Sequence, residues 1–138
     1  MRALLLLTLL ASPATAQQAI TLAPGLYGSA HDPALSCDAN PHELGFMTNP
    51  PHAIFTWQSP RPDRDGYMSA EDRYDFRGAT DSTLTLEREG DAPLPETGRR
   101  PVWVLRLTHN PEGYCWGRED WPAIRCEDQQ LRCEKPVS

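Results

Sequence analysis

Apolar and polar residues alternate in short runs along this chain, and proline or glycine cuts off each run before it reaches helical length. Residues 83–88 place Leu84 and Leu86 on one face and Thr83, Thr85 and Glu87 on the other, then stop at Gly90 and Asp91. That is the pattern of a half-buried strand. Residues 102–107 direct Trp103, Leu105 and Leu107 to one side and Val102, Val104 and Arg106 to the other, which predicts a more buried, central strand. Residues 52–57, between Pro51 and Pro60, and residues 73–77, where charged residues alternate with Tyr74 and Phe76 before Gly78, have the same period of two. Weaker strand candidates lie at 25–29 around Leu26 and Tyr27, at 43–48 around Leu44 and Phe46, and at 113–116 around Tyr114.

About six or seven strands result, and long helices are excluded by the 14 prolines and nine glycines. Short connections without crossover helices predict an all-β antiparallel meander that closes as a small barrel or folds into a sandwich, with the barrel favoured. Residues 91–100, with Pro93, Pro95 and Gly98, form a long exposed hairpin loop. The segment after Trp121 has too little apolar content to fold alone and is expected to lie as a tail over one edge or end.

The first residues change the compartment in which this barrel is expected. Arg2 precedes an apolar run over 3–10, and Ala14-Thr15-Ala16 supplies small residues for cleavage before Gln17, the pattern of a secretory signal peptide over residues 1–16. The run is too short to cross a bilayer core of roughly 30 Å, and nothing later could span one, so no integral membrane segment is expected after processing. The first cysteine, Cys37, lies too deep to accept a lipoprotein's lipid. A single β domain over 17–138 follows, in the periplasm or secreted. Its cysteines, Cys37, Cys115, Cys126 and Cys133, are even in number and predict two disulfides. Of the three possible pairings, Cys126 with Cys133 and Cys37 with Cys115 is favoured, since the last two cysteines close a short loop. No Cys-x2-Cys pair is present to bind zinc.

The formal charge of −6 becomes −7 once Arg2 is removed with the leader. Nucleic acid and anionic membrane surfaces are thereby excluded as partners, because both need a basic face.

Three segments carry candidate chemistry. Residues 63–72 resemble the second part of an EF-hand loop, with Asp63, Asp65, the Tyr67 carbonyl, Ser69 and Asp72 at ligand positions and Gly66 at the bend. Arg61 at the first ligand position and the flanking Pro60 and Pro62 depart from that pattern, and a polar turn between two strands accounts for the same residues. His42, Met47 and His52 combine imidazole and thioether donors suited to copper in an exported protein, provided a hairpin brings the two histidines face to face. Trp116, Arg118 and Trp121 gather interface-type residues beside Cys115; they form either a binding surface or a plug at the barrel end, with Arg118 paired to Glu119 or Asp120. Hydrolytic and cysteine catalysis lack support: there is no Gly-x-Ser-x-Gly elbow, and no cysteine is expected to be free.

In layout the chain is similar to small exported bacterial β-barrels of the lipocalin-like and lysozyme-inhibitor-like kinds, a likeness of architecture that transfers no residue's role. The expectation is a non-enzymatic, exported binding module without a cofactor, which holds a protein or small ligand of the cell envelope. The alternatives are a periplasmic copper- or calcium-binding protein and an accessory subunit of an envelope complex.

Overall fold

Each period-two run becomes a strand that hydrogen-bonds to its neighbours in sequence. The computed structural model describes residues 18–134, and the expected signal peptide lies outside the described residues. The elements are α1 (Gln18–Leu22), β1 (Gly25–Ser29), β2 (His42–Thr48), β3 (Pro51–Pro62), β4 (Met68–Ala79), β5 (Thr83–Arg88), β6 (Trp103–Thr108), β7 (Gly113–Arg118) and β8 (Glu127–Arg132). All pairings are antiparallel, and β8 returns to pair with β1, so the sheet closes as an eight-stranded barrel. Among the described residues no helix is long and apolar enough to cross a membrane.

The expected all-β barrel is thus the observed one, with eight strands instead of six or seven. The additional strand is β8, in the segment expected to lie as a tail over one edge or end. It lies between β7 and β1, pairing Tyr114 with Gln130 on one side and Tyr27 with Arg132 on the other. Its residues are partly exposed along most of its length, so no apolar alternation marks it.

The inward faces of the strands build the core. Leu44, Leu84, Leu86 and Leu105 are almost completely buried, together with Ala53, Phe55, Tyr27 and Tyr114. Each leucine contributes about 1.5–3 kcal/mol through removal from water. One end of the barrel is stopped by α1. This single helical turn is closed by the bond from Ala23 N–H to the Ala19 carbonyl and cannot continue into Pro24. Ala19 and Ala23 are fully buried, Ala19 N–H donates to the Thr80 carbonyl of the β4–β5 turn, and Tyr27 Oη donates to the Ala23 carbonyl at 2.5 Å.

The disulfides join Cys37 to Cys133 and Cys115 to Cys126, and no described cysteine is free. The favoured sequence pairing is therefore incorrect. Cys126 and Cys133 stand at the two ends of β8, too far apart along an extended strand to bond. Cys37 instead lies in the β1–β2 loop, which folds back over the β1–β8 seam so closely that a Cβ on Gly28 would stand 2.1 Å from the Cys37 nitrogen. Cys115 on β7 reaches the foot of the loop leading into β8.

The seam bond spans 96 residues and the β7–β8 bond 11. Restriction of the unfolded chain is worth about 4–5 kcal/mol for the first and about 3 kcal/mol for the second. Urea unfolding of the Cys37→Ser/Cys133→Ser and Cys115→Ser/Cys126→Ser double variants should therefore show the larger loss in the first, and the reverse order would contradict this account of the seam.

Candidate functional site

The end of the barrel opposite α1 is open, and the strands carry their largest side chains there. A cavity of about 640 Å³ enters between the β3–β4 hairpin and the β7–β8 loop. Trp57 on β3, Trp103 on β6, Trp116 on β7 and Trp121 in the β7–β8 loop all line it, and these are the four tryptophans of the chain. Tyr74 stacks on Trp116 with ring centroids 5.2 Å apart, and Trp103 meets Trp116 and Trp121 edge-on at 6.2 and 5.8 Å.

Charged groups form a second layer of the wall. Strand pairing between β3 and β4 breaks between Thr56 and Arg61, where the side chain of Asn40 exchanges two 2.9 Å hydrogen bonds with the backbone of Ser59. The irregularity accompanies an inward turn of Arg61, which is only 8% exposed despite lying between two prolines. Its guanidinium lies 3.7 Å from the centroid of the Trp57 ring, and its Nη2 donates to Asp72 Oδ2 at 2.5 Å. Asp72 Oδ1 accepts from Arg88 at 3.3 Å, and Arg88 in turn donates to Asp91 Oδ1 at 3.2 Å. Asp91 Oδ2 accepts from Trp103 Nε1 at 2.8 Å, while Arg64 stands 3.9 Å from Asp91 and lies over the Trp103 ring. Three guanidiniums thus alternate with two carboxylates along this chain, and Asp32, Asp63, Glu127 and Asp128 also line the cavity.

His42 stands beside this chain of charges and is 2% exposed. Its Nε2 shares a 2.6 Å hydrogen bond with Tyr114 Oη, and its ring lies 4.9 Å from that of Trp57. Burial, with the Arg61 charge adding to it, lowers its pKa to about 4. Burial likewise raises the phenols of Tyr74 and Tyr114 well above the usual range, with Asp72 adding to the effect on Tyr74. Three buried side-chain nitrogens of the described residues have no hydrogen-bond partner: His52 Nε2, Trp57 Nε1 and Arg61 Nη1. The last two belong to the stacked pair on the cavity wall. An unpaired buried donor costs roughly 1–3 kcal/mol, so these positions are expensive for the fold alone.

Trp116 and Trp121 meet at the cavity, and Arg118 binds Asp120 through two hydrogen bonds of 2.8 and 2.7 Å with its guanidinium facing the rings of Trp103 and Trp121. His42 and His52 do not face each other. In the β2–β3 register His42 opposes Trp57 at the open end, whereas His52 opposes Met47 at the other. Met47 is exposed, and His52 Nδ1 bonds the Pro50 carbonyl at 2.6 Å. In the EF-hand-like segment, Asp63 Oδ1 accepts from the backbone of Asp65 and Tyr67, which makes the segment a hydrogen-bonded turn. Asp72 belongs to the arginine chain instead, with Asp65 left at the turn. No group of three or more His, Cys, Asp or Glu among the described residues is placed to hold a metal ion. Sequence reading missed Trp57, Arg61, Tyr74, Arg88 and Trp103 as site residues; Arg61 registered only as a cation out of place in a calcium loop.

Comparison with protein-family models, with curated proteins and with solved structures finds no match to this chain, so the site rests on its own residues.

Removing Asp72 leaves two inward guanidiniums facing each other, so Asp72→Ala should cost on the order of 3 kcal/mol in chemical denaturation. Glu71→Ala, which removes the exposed pair with Arg73, should cost under about 1 kcal/mol. His42 is neutral when folded and has an ordinary pKa of 6.5 when unfolded. The unfolded chain therefore binds the proton first, and stability falls as pH drops from about 6.5 towards 4, by up to about 3 kcal/mol. NMR titration of the His42 ring checks this directly, and a midpoint near 6.5 in the folded protein would refute it.

Proposed function

We propose that this protein is an extracytoplasmic binding module whose barrel mouth holds a small aromatic ligand. The observation that carries the reading is the convergence of all four tryptophans, from three strands and one loop, on one cavity. Its volume of about 640 Å³ lies within the range of roughly 300–1,000 Å³ common to small-molecule sites, and such sites combine aromatic walls with a few placed polar groups. A core that needed only stability would be served by aliphatic packing, without the partnerless donors of Trp57 and Arg61. The carboxylates Asp72 and Asp91 are already bound to guanidiniums, and His42 is tied to Tyr114, which favours binding over catalysis. Export to the periplasm or beyond is supported by the leader pattern of residues 1–16 and by two disulfides, which persist in oxidising compartments.

A neutral dye that brightens in apolar sites, N-phenyl-1-naphthylamine, tests the reading. Its fluorescence should rise at a stoichiometry of one per chain, and Trp121→Ala should weaken binding at least fivefold while largely preserving the melting temperature. Trp116→Ala, which removes a ring in contact with Phe55, Tyr74, Trp103 and Tyr114, should in contrast cost about 3 kcal/mol of stability. Absence of saturable brightening would reject the small-ligand reading, and a stable protein complex in native mass spectrometry of the exported chain would replace it with a subunit role.

A further inference from the structure

The ligand's chemistry can be read one step further from the two donors left without partners. Arg88 directs its guanidinium nitrogens at Asp72 and Asp91, whereas Arg61 bonds Asp72 through Nη2 alone and keeps Nη1 unbonded. Trp57 Nε1 is likewise unbonded, and the two side chains are stacked on each other in the cavity wall. A buried guanidinium with an unbonded N–H is complemented by an anion far better than by a neutral acceptor. Two N–H donors on one stacked pair suit the two oxygens of a carboxylate. The rings of Tyr74, Trp103, Trp116 and Trp121 supply flat surfaces for the rest of the molecule. At the rim stand Asp32, Asp63, Glu127 and Asp128, which disfavour a second negative charge on the ligand.

We propose that the mouth selects a flat aromatic monocarboxylate, its carboxylate held by Arg61 Nη1 and Trp57 Nε1. This rests on the cavity being a small-ligand site and adds to that reading the sign and form of the ligand's charged group. Asp72 keeps its bond to Arg88 when Arg61 is changed, so Arg61→Gln leaves no orphaned carboxylate and retains a foldable barrel. Trp57→Phe provides a second variant that keeps an aromatic ring beneath Arg61 while removing the pyrrole ring with its N–H.

Isothermal titration at low salt with three matched probes makes the test: 2-naphthoate, 2-naphthalenemethanol and 2-naphthyl phosphate. The naphthoate should bind at least tenfold more tightly than the alcohol, a factor equivalent to about 1.4 kcal/mol, and more tightly than the doubly charged phosphate. Arg61→Gln should bring naphthoate down to the affinity of the alcohol while moving the alcohol less than threefold, and Trp57→Phe should weaken naphthoate alone. The carboxylate assignment is overturned if the alcohol or the phosphate binds as tightly as naphthoate, or if neither variant changes the naphthoate affinity. In those cases retained binding of N-phenyl-1-naphthylamine leaves the aromatic cavity standing, whereas loss of binding by every probe removes both readings together.

Discussion

The hydrogen-bonded seam between β1 and β8 is the constraint on which the remaining architecture depends. Tyr27, Gly28 and Ser29 pair with Arg132, Leu131 and Gln130, and through these rungs the first and last strands of the meander satisfy each other's edges. The loop after β1 presses on Gly28 from outside, and the bond from Cys37 to Cys133 fastens it there. Arg132 adds contacts from β8 to the Leu22 and Pro24 carbonyls and to the Tyr27 hydroxyl, linking the seam to the helical stopper. Closure determines which alternate residues point inward on every strand, so it brings together side chains as distant in sequence as Trp57 and Trp121.

The two ends of this ring differ in chemistry. Alanine and leucine fill much of the end near α1, where the polar contacts are those of the Tyr27 hydroxyl with the Ala23 carbonyl and Arg132. Aromatic rings and arginine–aspartate pairs occupy the other end. The charges survive partial burial there because each carboxylate bridges cations and because the guanidiniums lie on indole faces, which favour a nearby cation. The arginine–aspartate chain thereby shares the mouth with the carboxylates of Asp32, Asp63, Glu127 and Asp128.

Much of the barrel was legible along the chain because inward-facing positions of most strands are apolar and outward ones are not. Leu84 with Leu86 and Trp103 with Leu105 followed directly from a period of two. The last strand was not legible, since Glu127–Arg132 carries mostly polar residues on both faces and owes its conformation to neighbours on either side. The disulfide pairing was hidden for the same reason: it follows from closure, not from spacing. The composition of residues 114–122 pointed to Trp116 and Trp121, but their partners lie on other strands. Arg61 was concealed by its setting, because a charged residue between two prolines reads as exposed loop and only the irregular β3–β4 pairing turns it inward.

The placement of the tryptophans also fixes what light can report about this protein. Every indole emitter lies at the open end, and none stands near α1 or the β4–β5 turn. Intrinsic emission is therefore a local gauge of the mouth, whereas far-ultraviolet circular dichroism averages over the whole sheet. Should the mouth loosen before the ring of strands comes apart, the two signals would separate along a denaturation curve, and their coincidence would mean that rim and sheet melt as one cooperative unit.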